Sequence, residues 1–309
     1  MIVYQPNKHF LKDIGHLARS WTMVKIFRAV LLIGIYTLAL SLAIFYLGWD
    51  EYTQLDAQIF SFLGIVLSIL LVFRTNSAYD RWWEGRKQWG ALVNHCRNLA
   101  VMAHATFPRE DMKSRKYLAT HISNFCIAFK EHLREGTKLE ELIHVGEQEK
   151  AVYQSKDHIP NHISYEIHQL VRAAHENGSI SLGDYLNHKP HLQALLDILG
   201  ACERIKKTPI PFSYAVYIKI FILGYSLLLP FALYSAFGLW TPILEMFVFF
   251  AFMGVELMAE EIEDPFGLDC NDLPTGDIAH TIKRNVHEIL EVKTSKLKGL
   301  EHELYEKVF

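Results

Sequence analysis

Charged residues are missing from three long stretches of the chain. None occurs from Ala29 to Leu47 across 19 positions, from Ala57 to Phe73 across 17, or from Ile220 to Leu244 across 25. A bilayer core about 30 Å thick needs roughly 20 mostly apolar residues in helical form, so the first and third runs suffice outright. The second is short, and Arg74 is expected to extend it by snorkelling to the interface. A fourth stretch, Met246 to Ala259, carries Phe247, Phe249, Phe250 and Phe252 and is interrupted only by Glu256. Lipid offers no partner to backbone groups outside a helix or a closed barrel, so the pattern predicts four helical spans in two hairpins. An uncharged run of this length excludes a soluble core helix, where roughly 10–14 apolar residues would be ordinary.

Between the second and third spans lie about 130 residues, enough for a folded unit. Apolar positions there recur at three- and four-residue spacing or its multiples: Ala91, Leu99 and Met102, then Tyr117, Ile122, Cys126 and Phe129, then Leu192, Leu195 and Leu199. Breakers at Phe107-Pro108, Asn177-Gly178 and Lys189-Pro190 mark loops. Ile278, Ile282, Val286 and Ile289 share one face of a further amphipathic helix. The expectation is an all-α polytopic membrane protein with four transmembrane helices and a helical cytoplasmic domain. Its division is 1–74, an N-terminal cytoplasmic helix and a transmembrane hairpin with spans at about 29–47 and 57–73; 75–207, the cytoplasmic domain; 208–262, the second transmembrane hairpin; and 263–309, a cytoplasmic C-terminal segment.

Basic residues orient this arrangement. Lys8, Lys12, Arg19, Lys25 and Arg28 precede the first span, and Arg74, Arg81, Arg86 and Lys87 follow the second. Arg204, Lys206 and Lys207 precede the third, and Lys283 and Arg284 follow the fourth. The loop 49–56 has no Lys or Arg and the turn 238–242 has no charge at all. The positive-inside rule then places both termini in the cytoplasm of a multi-pass protein of the inner (plasma) membrane, with Tyr46, Trp49 and Trp240 in the outer aromatic belt. The first 24 residues lack an apolar h-region, so no cleavable signal is expected. Cys96, Cys126, Cys202 and Cys270 all fall in cytoplasmic segments and read as reduced thiols. A net charge of −3 points away from a nucleic-acid partner.

Sixteen histidines raise the question of metal. His158 and His162 are four apart, with His168 beyond, but Pro160 interrupts the face they would share. His188 and His191 flank Pro190 in the same way. No metal site is expected from them. Glu256, Glu260 and Glu263 lie on one helix face and could hold a metal or relay protons. No Glu-x-x-His accompanies them, and carboxylates at a membrane boundary ordinarily pair with Lys or Arg. No phosphate loop or nucleophile elbow occurs, so neither an enzyme nor a cofactor is expected. A transporter would show inverted repeats and matched broken helices; Pro230 interrupts the third span, and the first span has no counterpart. A membrane scaffold whose cytoplasmic body binds a soluble partner stays open.

Two motifs narrow the choice. Arg81-Trp82-Trp83 stands beyond the second span, and Pro265-Phe266-Gly267 with Asp264, Asp269, Asn271 and Asp272 stands beyond the fourth, while Pro209-Ile210-Pro211 leads into the third. In this order and spacing the sequence resembles the bestrophin family of ion channels. The resemblance implies a homopentamer with one axial pore lined by the second span of each subunit, conducting monovalent ions. It places Ile65, Ile69 and Phe73 on the family's hydrophobic neck, where rings of apolar side chains block ions by keeping a narrow pore dry. It also implies a cytoplasmic aperture, assigned to Ile180 over Leu182, and a vestigial cation clasp at Asp264, Asp269 and Asp272, with Leu268 where the clasp has a carboxylate. The anion-conducting pattern has Phe at the positions of Ile69 and Phe73, and phenyl edges favour an anion. Ile69 and a net charge of 5 × −3 = −15 for five copies therefore lead to an expectation of cations, with a chloride channel of the same fold as the alternative.

Overall fold

A computed structural model describes residues 21–49, 55–269 and 271–293, so the expected N-terminal cytoplasmic helix before residue 21 and Cys270 lie outside the described residues. The described residues form helices and no strand: α1 (Trp21–Leu47), α2 (Ala57–Thr106), α3 (Met112–His132), α4 (Glu147–Gln154), α5 (Ile159–Glu176), α6 (Leu182–Lys207), α7 (Phe212–Phe237), α8 (Thr241–Glu263) and α9 (Thr275–Ile289). The all-α expectation is met.

Local chemistry starts and stops these helices. The Asp56 carboxylate accepts from the Gln58 N–H at 2.8 Å, and that of Asp111 accepts from the Ser114 N–H at 3.0 Å; each satisfies an N–H left open at a helix start. Ser181 and Asp184 form a reciprocal capping box at the start of α6. Gly238 breaks α7 from α8 with φ 50°, a left-handed conformation that costs glycine little.

Three apolar stretches are long enough to cross a membrane: Thr22–Leu47, the first part of Ala57–Thr106, and Phe212–Glu263, which folds back at Gly238 into α7 and α8. α7 and α8 pack on each other, but α1 and α2 do not form the expected hairpin of paired helices. α1 packs mainly along α8, whereas α2 packs along both α8 and α6. Gly34 explains part of this: a Cβ there would stand 2.6 Å from Met246 Sδ, so a larger residue would force the Met246 side chain to shift, whereas glycine lets α8 sit close to α1.

α2 departs most from the sequence expectation. It continues without a break through Arg74 to Thr106, 50 residues and about 75 Å. Its first third packs with Ile26, Val30, Ile218, Ile222 and Leu229 in the membrane cluster. Its last third is the spine of the helical body, where Trp89 stacks on Phe129 of α3 at 5.1 Å and 8°. α6 likewise runs through Pro190, where a loop was expected. Burial of Leu192, Leu195 and Leu199 against the body core holds the helix across the missing hydrogen bond.

Candidate functional site

The membrane part of α2 has two unlike faces. Leu67, Leu71, Arg74 and Ala78 are buried, whereas Ile65, Ile69 and Phe73 are 58%, 51% and 61% exposed. One helix face therefore carries a column of large apolar groups that no other described residue covers. Asn76 and Asp80, three and seven positions past Phe73, are both exposed, so this side of the helix turns polar beyond Phe73. The buried face is held tightly. A Cβ on Gly64 would lie 3.1 Å from the Tyr225 hydroxyl, which donates to the Phe60 carbonyl at 3.2 Å.

Where the column ends, buried polar contacts tie the membrane helices to the body. Arg74 does not snorkel: it is 1% exposed, with Nη2 2.7 Å from Glu263 and Nε 3.4 Å from Glu256. Glu260 pairs with Lys219 at 2.8 Å, so all three carboxylates of that face meet basic partners. Glu263 also accepts from the Ile210 N–H at 2.6 Å, which pins the Pro209-Ile210-Pro211 entry to α7. Arg81 takes the other contacts of this joint. Its Nε donates to the Glu263 carbonyl at 3.0 Å and Nη2 to the Ile205 carbonyl at 2.6 Å, while Nη1 donates to the Thr208 carbonyl. One guanidinium thus satisfies open carbonyls at the C-terminal ends of both α6 and α8. Trp82 donates from Nε1 to the Asn271 carbonyl at 2.9 Å, linking the first motif to the second.

The acidic loop folds inward. Phe266 is fully buried, close enough to α2 that a Cβ on Gly85 would lie 3.1 Å from its ring. Arg134 of the body donates to the Phe266 carbonyl at 3.1 Å and to Thr275 Oγ1 at 3.1 Å. The three clasp candidates do not converge as a ligand set among the described residues. Asp264 is ion-paired with Lys206, and Asp272 turns back so that Oδ2 accepts from the Asp269 N–H at 2.7 Å. Asp272 is 2% exposed with Oδ1 unpartnered, and burial pushes its carboxyl up to about 7. Leu268, where a further carboxylate would be needed, is exposed.

In the body, Ile180 is 4% exposed and packs in the core, its N–H donating to the Ala174 carbonyl at 3.1 Å. A side chain lining an aperture has to reach the lumen, so the expectation for Ile180 is corrected. Leu182, two residues on, is the exposed apolar group of this segment. Cys96 and Cys126, distant in sequence, meet at 3.9 Å between sulfurs, too far for a disulfide. His158 and His162 separate: His162 faces Glu166 at 3.7 Å, while His158 meets Glu203 together with His132. That last grouping was not legible in sequence spacing, since His132 and Glu203 are 71 positions apart.

Comparison with known proteins agrees with this architecture. A family model described as "Bacterial/Fungal Bestrophin protein" matches residues 1–288. The "voltage-dependent anion channel-forming protein" of Nostoc sp. is 37% identical over 73% of this chain and 75% of its own length. The protein of the same description from Escherichia coli K12 is 30% identical over 91% of this chain and 92% of its own. The crystal structure of a bacterial bestrophin homologue from Klebsiella pneumoniae superposes with a TM-score of 0.80 at 28% identity, covering 87% of this chain and all of that one.

Proposed function

The chain belongs to the bacterial and fungal bestrophin family, and from that membership we propose that it forms an anion-conducting channel in the membrane. The observation that carries this reading is the uncovered apolar column Ile65, Ile69 and Phe73 on α2. In a homopentamer around one axis, five such columns make a neck of three apolar rings that opens and closes by wetting. A neck of this kind needs its wall helices backed from behind, and Tyr225, Arg74 and Arg81 supply that backing.

The body and both termini are read as cytoplasmic at the inner membrane, a reading that the basic clusters support. Leu182 replaces Ile180 as the candidate for the cytoplasmic aperture. The preference for cations, drawn from Ile69 and net negative charge, finds no support among the relatives, two of which are described as anion channels. The chloride alternative is therefore adopted. Net charge steers ions only where acids line the path, and most acids here are paired or turned into loops; Asp80, below the neck, is the acid exposed on the column itself.

Purified protein in planar bilayers under a potassium chloride gradient tests the proposal, with Ile69→Ala recorded beside the unmodified chain. Reversal near the chloride equilibrium potential is expected, with a several-fold larger current in the variant because a smaller ring wets more readily. Reversal near the potassium potential would overturn the anion reading. Absence of current in both proteins would overturn the channel.

A further inference from the structure

His132 is the last residue of α3, His158 is the N-cap of α5, and Glu203 lies in the last two turns of α6. The three meet at the junction of those helices. Nε2 of His132 is 2.6 Å from Glu203 Oε1, and Nε2 of His158 is 2.8 Å from the same oxygen. The imidazole rings lie 4.2 Å apart between centroids, and one ligand atom from each residue falls within 4.8 Å of the others. We propose that this is a divalent transition-metal site, taking Zn²⁺ or a metal of similar ligand preference through two imidazole nitrogens and one carboxylate oxygen.

The donor set selects the ion class. Two nitrogens with one oxygen suit Zn²⁺, Co²⁺ and Ni²⁺, whereas Ca²⁺ and Mg²⁺ want oxygen shells. Three protein ligands leave a fourth tetrahedral position, and about a quarter of each side chain is exposed, so that position opens to water. The ligands come from three helices already fixed by the body core, where Phe129 and Leu133 flank His132 and Cys202 precedes Glu203. Little ordering is left for an ion to impose.

In the ion-free arrangement each Nε2–H donates to Glu203. Metal binding needs the Nε2 lone pairs, so each ring takes the alternative tautomer with its proton on Nδ1. For His158 this gives up a long contact in which Nδ1 accepts from the Asn161 N–H at 3.3 Å, on an exposed edge where water replaces it. The two nitrogens also move away from the Glu203 oxygen by roughly half to three-quarters of an ångström, since metal–ligand bonds are about 2.0–2.2 Å long and tetrahedral ligands then stand about 3.3–3.5 Å apart.

Calorimetric titration of the purified full-length chain with Zn²⁺ tests the proposal, with Co²⁺ absorption in the visible as the report on tetrahedral nitrogen–oxygen ligation. The variants are His132→Ala, His158→Ala and Glu203→Gln, with His162→Ala as a histidine control away from the site. Binding of one ion per chain, tetrahedral Co²⁺ bands displaced by Zn²⁺, and at least tenfold weaker binding in each site variant but not in His162→Ala are expected. Glu203→Gln keeps the shape and hydrogen-bonding reach of the side chain, so it reads ligation even where an alanine variant unfolds. Undetectable Zn²⁺ binding at micromolar ion, or equal loss in His162→Ala, would overturn the site and leave a His–Glu–His hydrogen-bond bridge.

Discussion

The membrane half of α2 and its body half are the same helix with opposite logic. From Ala57 to Phe73 the large apolar groups Phe62, Ile65, Ile69 and Phe73 point outward while Phe60, Leu67 and Leu71 pack inward, and the one cation at its end, Arg74, is hidden. From Trp89 to Ala103 the large apolar groups Trp89, Leu92 and Leu99 are buried, and the polar ones face out. In the body, burying apolar surface away from water supplies the driving force. In the membrane that gain has already been made by insertion, so close packing and buried polar pairs decide which helix meets which. Gly34 against Met246 and Arg74 between Glu256 and Glu263 are those devices here.

The sharpest way to break this contrast is at Arg74. Arg74→Ala strands two carboxylates in a buried joint and should cost about 3–5 kcal/mol, whereas Arg74→Met combined with Glu256→Gln and Glu263→Gln should recover most of it. Thermal unfolding of the purified protein compares the two. Equal loss in both would mean that the charges specify the joint rather than merely neutralise each other.

A smaller, pH-dependent effect belongs to the loop that joins the two regions. Asp272 sits near 7 in the fold against 3.8 ordinarily, with Asp269, Asp264 and Glu261 adding to the upward push of burial and with Arg134 nearby on the body side. A carboxyl raised in this way favours the fold while it is protonated, so its contribution is complete below about 4 and is lost as pH rises toward about 7. Asp272→Asn should flatten the fall in melting temperature across that window. An unchanged slope would assign the fall to Asp269, whose carboxyl is also pushed up by burial.

The smallest effect is expected on the outward face of α1. Leu32 is 69% exposed, and Leu32→Ala should change stability in detergent by within about 0.5 kcal/mol. A larger loss would mark that face as covered by another subunit rather than by lipid.

Much of the membrane part was legible in the sequence because charge is so costly in lipid that its absence maps the spans directly. The pairing of Glu256, Glu260 and Glu263 with basic residues followed from the same cost. Arg74 was misread for a physical reason: snorkelling and burial in an ion pair look alike until the partner helix is known, and its partners lie some 180 positions away. The break placed after Phe73 was a change of polarity, and polarity does not end a helix. Pro190 and Ile180 show the converse, since tertiary packing overrode a breaker at one and buried an apolar group in a polar turn at the other. The meeting of His132, His158 and Glu203 depends on three helices docking, which no local spacing encodes.

The unbroken run of α2 also sets a rule of phase. Each residue turns an α-helix by about 100°, so adding or deleting a single residue between Phe73 and Trp89 would swing the membrane face away from its partners by more than a quarter turn while the body face stayed put. Changes of seven or eleven residues, two or three turns with about 20° of drift, bring both faces back close to register. The distance from the neck candidate to the body core is thus quantised by the helix itself, and any change in length between them must come in whole turns or be absorbed by a kink.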